Sequence, residues 1–130
     1  MARRSPQSRV RSGPRHRAAR RALILRTRPG TPCPRCLKPM TAERGLWGAG
    51  LHADHLSVEA VLRPGGLPDA LSHKRCNELH GAMLGAALRG VTDPDERRRL
   101  VAEVTERCHA QLRGHGPDKH DPQPRRVSRW

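Results

Sequence analysis

The chain has 130 residues, of which 26 are Lys or Arg and 12 are Asp or Glu, for a formal charge of +14. That length allows one domain with a small core, and with a hydrophobic content of only 35% the core needs a staple. Arginine accounts for 23 of the cations, a choice suited to bidentate phosphate contacts, so a polyanion is the expected partner and nucleic acid the first candidate. There is no Tyr or Phe and there are two Trp, which excludes readers that stack bases on an aromatic sheet surface. The longest apolar run near the N-terminus is Ala22 to Leu25, far short of the roughly 18 residues of a membrane span. Four cysteines without an export signal indicate a reducing compartment, with a cytoplasmic location as the expectation.

Residues 1–28 carry ten arginines and no acid, and Pro6 and Pro14 interrupt any amphipathic helix there. The composition predicts a flexible basic arm that orders on a phosphate backbone. Residues 31–40 read TPCPRCLKPM, where three prolines and two cysteines predict a tight knuckle rather than a helix. A short strand is expected within 46–56, ending at Asp54-His55, and a loop over 57–68, which closes on RPGGLP. Cys76, Leu79, Met83 and Ala87 recur at helical spacing, which predicts a helix from Lys74 to about Arg89. A further helix follows, with Asp93 as N-cap, Pro94 at the first helical position and Glu96 closing the cap. Leu100, Val101, Val104, Cys108 and Leu112 form its apolar face. The chain thus divides into an arm (1–28), a domain (29–113) and a loose polar tail (114–130).

Two pairs of metal-ligand residues share a two-residue spacing: Cys33 and Cys36 in CPRC, and His73 and Cys76 in HKRC. Four soft or borderline ligands make a closed tetrahedral set of the kind that holds a structural Zn²⁺. Cys108, alone on an apolar helix face, reads as a core residue. Asp54 and the Asn77 amide oxygen, one just after the strand and one just after the last zinc ligand, are candidate oxygen ligands for a single Mg²⁺ or Mn²⁺. His55 is a candidate general base, and His80, one helical turn after Asn77, a candidate metal or phosphate contact.

These residues resemble the HNH, or His-Me-finger, endonucleases, most closely the small zinc-stapled type of tailed phages and actinobacteria. The resemblance runs from CPRC through HADHL and the Gly65-Gly66 pair to SHKRCNELHG. It implies an α+β fold, a ββα-metal core stapled by zinc, followed here by a C-terminal helix and flanked by disordered basic termini. It implies hydrolysis of DNA to a 5′-phosphate and a 3′-hydroxyl, with Asp54 and Asn77 as ligands of the catalytic metal, His55 as base, and His80 at a variable last position. It also implies a phage or prophage origin and, in a tailed phage, a packaging terminase as partner. Two features depart from the family. The middle Asn, which orients the catalytic His through backbone contacts, has no counterpart in the GLPDAL stretch, and no Pro follows the Asp-His pair.

On this reading the arginine arm and Arg97, Arg98 and Arg99 hold the duplex through phosphate contacts, which carry no base information and weaken with salt. A non-catalytic, zinc-finger-like DNA-binding protein is the alternative, and the Asp54-His55 pair discriminates against it because binding alone does not require that pair. An RNA- or ribosome-associated basic protein fits the charge but leaves Asp54 and Asn77 unexplained.

Overall fold

The computed structural model describes residues 13–114. The first part of the basic arm and all but the first residue of the expected tail lie outside the described residues. The fold is α+β: a two-stranded antiparallel sheet, an N-terminal helix, a cysteine knuckle and three further helices. Among the described residues no helix is long and apolar enough to cross a membrane.

The first helix, α1 (Pro14–Arg26), corrects the expectation of a flexible arm over this stretch. Pro14 does not interrupt it but occupies its first turn, where the missing N–H costs nothing. The helix has almost no apolar face, so its docking rests on a few contacts. Leu23 is 3% exposed in the core, Arg20 Nη2 donates to the carbonyls of Gly48 (3.0 Å) and Leu51 (3.2 Å), and Trp47 Nε1 donates to Ile24 O at 3.0 Å. Gly48 has a φ of +100°, and a Cβ there would meet Ile24 Cδ1 at 3.1 Å, so the loop approaches α1 closely only because this residue is glycine.

The knuckle follows. Cys33 N–H donates to Lys38 O (2.8 Å) and Leu37 N–H to Cys33 O (2.8 Å), with Leu37 in the left-handed region at φ +69°. A bridge between Pro32 and Pro39 closes its base. Strand β1 (Leu51–Asp54) then pairs with β2 (Ala70–His73) in the register Leu51↔His73, His52↔Ser72, Ala53↔Leu71 and Asp54↔Ala70. The alternation of a pleated strand puts Leu51, Ala53, Leu71 and His73 on one face and His52, Asp54 and Ser72 on the other. The first face meets Leu23, Met40 and the cysteines in one buried cluster, in which Cys33, Cys36 and Cys76 count among eight core residues.

Between the strands, the loop expected over 57–68 contains a short helix, α2 (Val58–Leu62), started by Ser57, whose Oγ accepts from Ala60 N at 3.0 Å. α3 (Lys74–Leu88) follows β2 without a break, and α4 (Pro94–Leu112) begins as expected, with Asp93 Oδ2 accepting from Glu96 N at 2.8 Å. Val101, Val104 and Cys108 are buried on its inner face.

Candidate metal centre and the adjoining histidine site

The ligand atoms of Cys33, Cys36, His73 and Cys76 lie within 4.8 Å of one another, so one ion can reach all four. His73 Nδ1 stands 3.3 Å from Cys36 Sγ and 4.0 Å from Cys76 Sγ. The knuckle supplies two ligands, the end of β2 the third and the first turn of α3 the fourth, so the cluster ties three chain segments together. Its electrostatics call for a cation. Burial raises the Cys33 thiol, but backbone N–H groups of Cys36, His73 and Arg35 outweigh it and hold the thiol below its ordinary range. Burial and the neighbouring cysteines push Cys76 up to about 12, because crowded thiolates repel one another. Three sulfurs and an imidazole are a donor set that fits Zn²⁺. Cys108 is fully buried and outside the cluster, in the core role expected of it.

Arg35, between the two knuckle cysteines, was missed by sequence reasoning. It is 0% exposed, and its guanidinium holds Asp54 in a fork: Nε to Oδ2 at 2.6 Å and Nη2 to Oδ1 at 2.9 Å. Ser72 Oγ donates to the same Oδ2 at 2.7 Å. Arg35 also donates to His55 O (3.1 Å) and, through Nη1, to His109 Nε2 (3.0 Å) on α4. From the C-cap of α4, Arg113 returns to the knuckle, donating to Arg35 O (2.8 Å) and Pro34 O (2.9 Å). Burial alone would raise the Asp54 carboxyl, but the hydrogen bonds and charge of Arg35, with Ser72, hold it below the usual carboxylate range. A buried pair of this kind is costly to break from one side. Arg35→Met is expected to lower the unfolding free energy of the metal-loaded protein by roughly 3–5 kcal/mol, and a double Arg35→Met, Asp54→Leu variant to recover much of it, as read by denaturant titration. Equal losses in the single and double variants would show that the pair itself is not the cause.

This geometry bears on the expected second metal. Both Asp54 oxygens are occupied and the residue is 2% exposed, while Asn77 Nδ2 donates to His52 Nδ1 at 3.0 Å. Asp54 therefore offers a divalent cation no unengaged oxygen in this arrangement, the Asn77 contact involves its amide nitrogen and not Oδ1, and no chemistry is assigned to such an ion. His80 is likewise turned inward: it is 3% exposed, with Nε2 2.8 Å from Thr105 Oγ1 on α4, and is not presented to a phosphate. Burial, reinforced by the charge of Arg35, pushes His80 down to about 4. Its stabilising effect is thus complete above the ordinary histidine value near 6.5 and is lost as the pH falls towards 4, where the unfolded chain takes up a proton that the folded one refuses. The expected loss over that window is at most about 3 kcal/mol, and His80→Gln should flatten this part of the stability profile followed by Trp47 fluorescence.

His55 differs from its neighbours. It follows β1 directly, is 7% exposed, and its Nε2 lies 2.8 Å from the Gly66 carbonyl. A carbonyl only accepts, so Nε2 carries a proton, and in the neutral tautomer this selects the lone pair is on Nδ1. The backbone just after His55 is fastened by Asp69, whose Oδ1 accepts from Leu56 N (2.7 Å) and Oδ2 from Ser57 N (3.4 Å), while Asp69 N–H donates to Asp54 O at 2.9 Å. The GLPDAL stretch, read as lacking any counterpart of the middle Asn, thus holds a residue that makes backbone contacts beside His55. Its signal in the sequence is an Asp directly before a short strand, with a side chain that only accepts. Gly66 packs tightly, since a Cβ there would stand 3.2 Å from both Ala60 O and Arg63 O, so α2 sets where its carbonyl sits.

Arg97, Arg98 and Arg99 all have partners: Val91 O for Arg97 (2.8 Å), Glu59 for Arg98, and Glu96 and Glu103 for Arg99. The last two arginines are exposed, and ion pairs at such positions exchange readily for phosphates. Arg15, Arg17, Arg21 and Arg26 are also exposed, on α1. Comparison with protein-family models, with curated proteins and with solved structures finds no match to this chain.

Proposed function

We propose that this protein is a DNA endonuclease of the zinc-stapled ββα-metal kind, with His55 as general base. The observation that carries the reading is the 2.8 Å hydrogen bond between His55 Nε2 and the Gly66 carbonyl. Nε2–H donated to Gly66 O leaves Nδ1 of the neutral ring to take a proton from water as the water oxygen attacks phosphorus and the bond to the 3′ oxygen breaks, the departing oxygen taking a proton from solvent to become the 3′-hydroxyl. Asp69 supports it by fixing the backbone on which the imidazole stands. The exposed arginines of α1 and the net charge of +14 supply the phosphate-binding surface.

A specific observation favours the alternative, a DNA-binding module without catalysis: Asp54 is closed off by Arg35 and Ser72. Supercoiled plasmid incubated with zinc-loaded protein, with and without added Mg²⁺ or Mn²⁺, separates the two. Nicked or linear product supports the nuclease, and a dependence on added metal would require Arg35 to yield Asp54. Salt-sensitive binding with intact plasmid under every condition would make the protein a binding module.

A further inference from the structure

The N-terminal turn of α1 and the Gly65-Gly66 loop face each other across a cavity of about 330 Å³, lined by Gly13, Pro14, Arg15, His16, Gly65, Gly66 and Leu67. We propose that this cleft seats one nucleotide of the cleaved strand, its phosphate held by Arg15 and His16 beside His55. The inference rests on the nuclease reading and names where the strand lies. Position argues first. Gly66 is the residue whose carbonyl orients His55, and the His16 ring lies over the His55 ring with centroids 6.5 Å apart and planes 27° from parallel. Two of the residues that line the cleft, Gly66 and His16, are thus direct neighbours of the His55 ring.

Chemistry argues second. Among the described residues the walls contain no carboxylate or thiol. Its polar side chains are a guanidinium and an imidazole, which suit an anion, while Pro14, Leu67 and the glycines offer a hydrocarbon surface for a sugar or base face. Leu67 is 44% exposed at this rim, a large apolar side chain with water as its alternative neighbour. The volume lies within the range of small-ligand clefts, roughly 300–1,000 Å³. Placement argues third. Arg20, Leu23 and Trp47 anchor α1 to the core, so Arg15 and His16 are carried by the folded domain and hold their position against the loop.

The test is a titration of the zinc-loaded full chain with thymidine 3′,5′-bisphosphate, followed by backbone amide NMR. Saturable shifts are expected at Arg15, His16, Gly65 and Gly66. Affinity should fall by about tenfold or more in an Arg15→Ala, His16→Ala double variant, the loss expected for charge-assisted hydrogen bonds to phosphate. The absorption spectrum of the Co²⁺-loaded variant verifies that its fold is intact. Leu67→Trp, which fills the cleft and leaves Arg15 and His16 in place, should weaken binding as well. Shifts confined to other arginines, or affinity unchanged in both variants, would overturn the assignment. Plasmid cleavage run alongside separates the two claims. A protein that cuts but shows no shifts at these residues loses the cleft and keeps the nuclease reading. A protein that binds the bisphosphate here but never cuts loses the nuclease reading and keeps the cleft.

Discussion

Stripping the metal from Cys33, Cys36, His73 and Cys76 is expected to unfold the domain as a unit. The cluster joins the knuckle, the end of β2 and the start of α3, and three of its ligands belong to the buried core, so few contacts survive without it. Burial of apolar surface in a chain with 35% hydrophobic residues leaves little reserve. Structural zinc contributes on the order of 10 kcal/mol in comparable small sites, as much as the whole stability of a typical domain. Chelation should therefore abolish the helical circular dichroism and shift Trp47 emission to the red, and zinc should restore both. Cys76→Ser should bind Co²⁺ without the tetrahedral thiolate spectrum and remain largely unfolded, whereas Cys108→Ala, outside the cluster, should keep the spectrum and lose only a core contact. A chelated protein that kept its helices would show that the core suffices alone.

The second large effect is expected at His55. His55→Gln retains an amide N–H that can donate to Gly66 O but offers no nitrogen base, so it isolates proton transfer from packing. General-base removal typically costs about 10²–10⁴-fold in rate, and plasmid cleavage by His55→Gln should fall by that factor while DNA affinity and its salt dependence stay unchanged. His55→Ala should behave alike, with a further loss of stability from the emptied site. Equal cleavage by His55→Gln and the parent would remove His55 from the reaction.

Much of this arrangement was legible in the residues. The paired two-residue spacings led directly to the four cluster ligands, and Asp93, Pro94 and Glu96 marked the start of α4 because caps act locally. The elements that escaped notice depend on distant partners. α1 is masked by its arginines, because a single buried Leu23 and the carbonyls met by Arg20 decide its docking, and none of these produces a periodic pattern. β2, only Ala70–His73, has no strand signature apart from β1. α2 was hidden by the RPGG that follows it, although Ser57 capped it in plain view. Arg35 has no signature of its own within CPRC, and only the fold brings it to Asp54, nineteen residues away. That pairing changes the meaning of Asp54 from a presumed metal ligand to the buried anchor of the knuckle. His80 changed from a candidate contact to a buried partner of Thr105 in the same way, because helical spacing shows which residues share a face and not what covers it.

The most direct test of the proposed chemistry is the tautomer of His55 in the zinc-loaded protein, read from the nitrogen shifts and two-bond couplings of its ring in ¹⁵N NMR. The expected result is a proton on Nε2, as the hydrogen bond to Gly66 O requires, with Nδ1 unprotonated, as the proposed base needs. A proton on Nδ1 would contradict it, leaving His55 without the acceptor that the proposed hydrolysis needs.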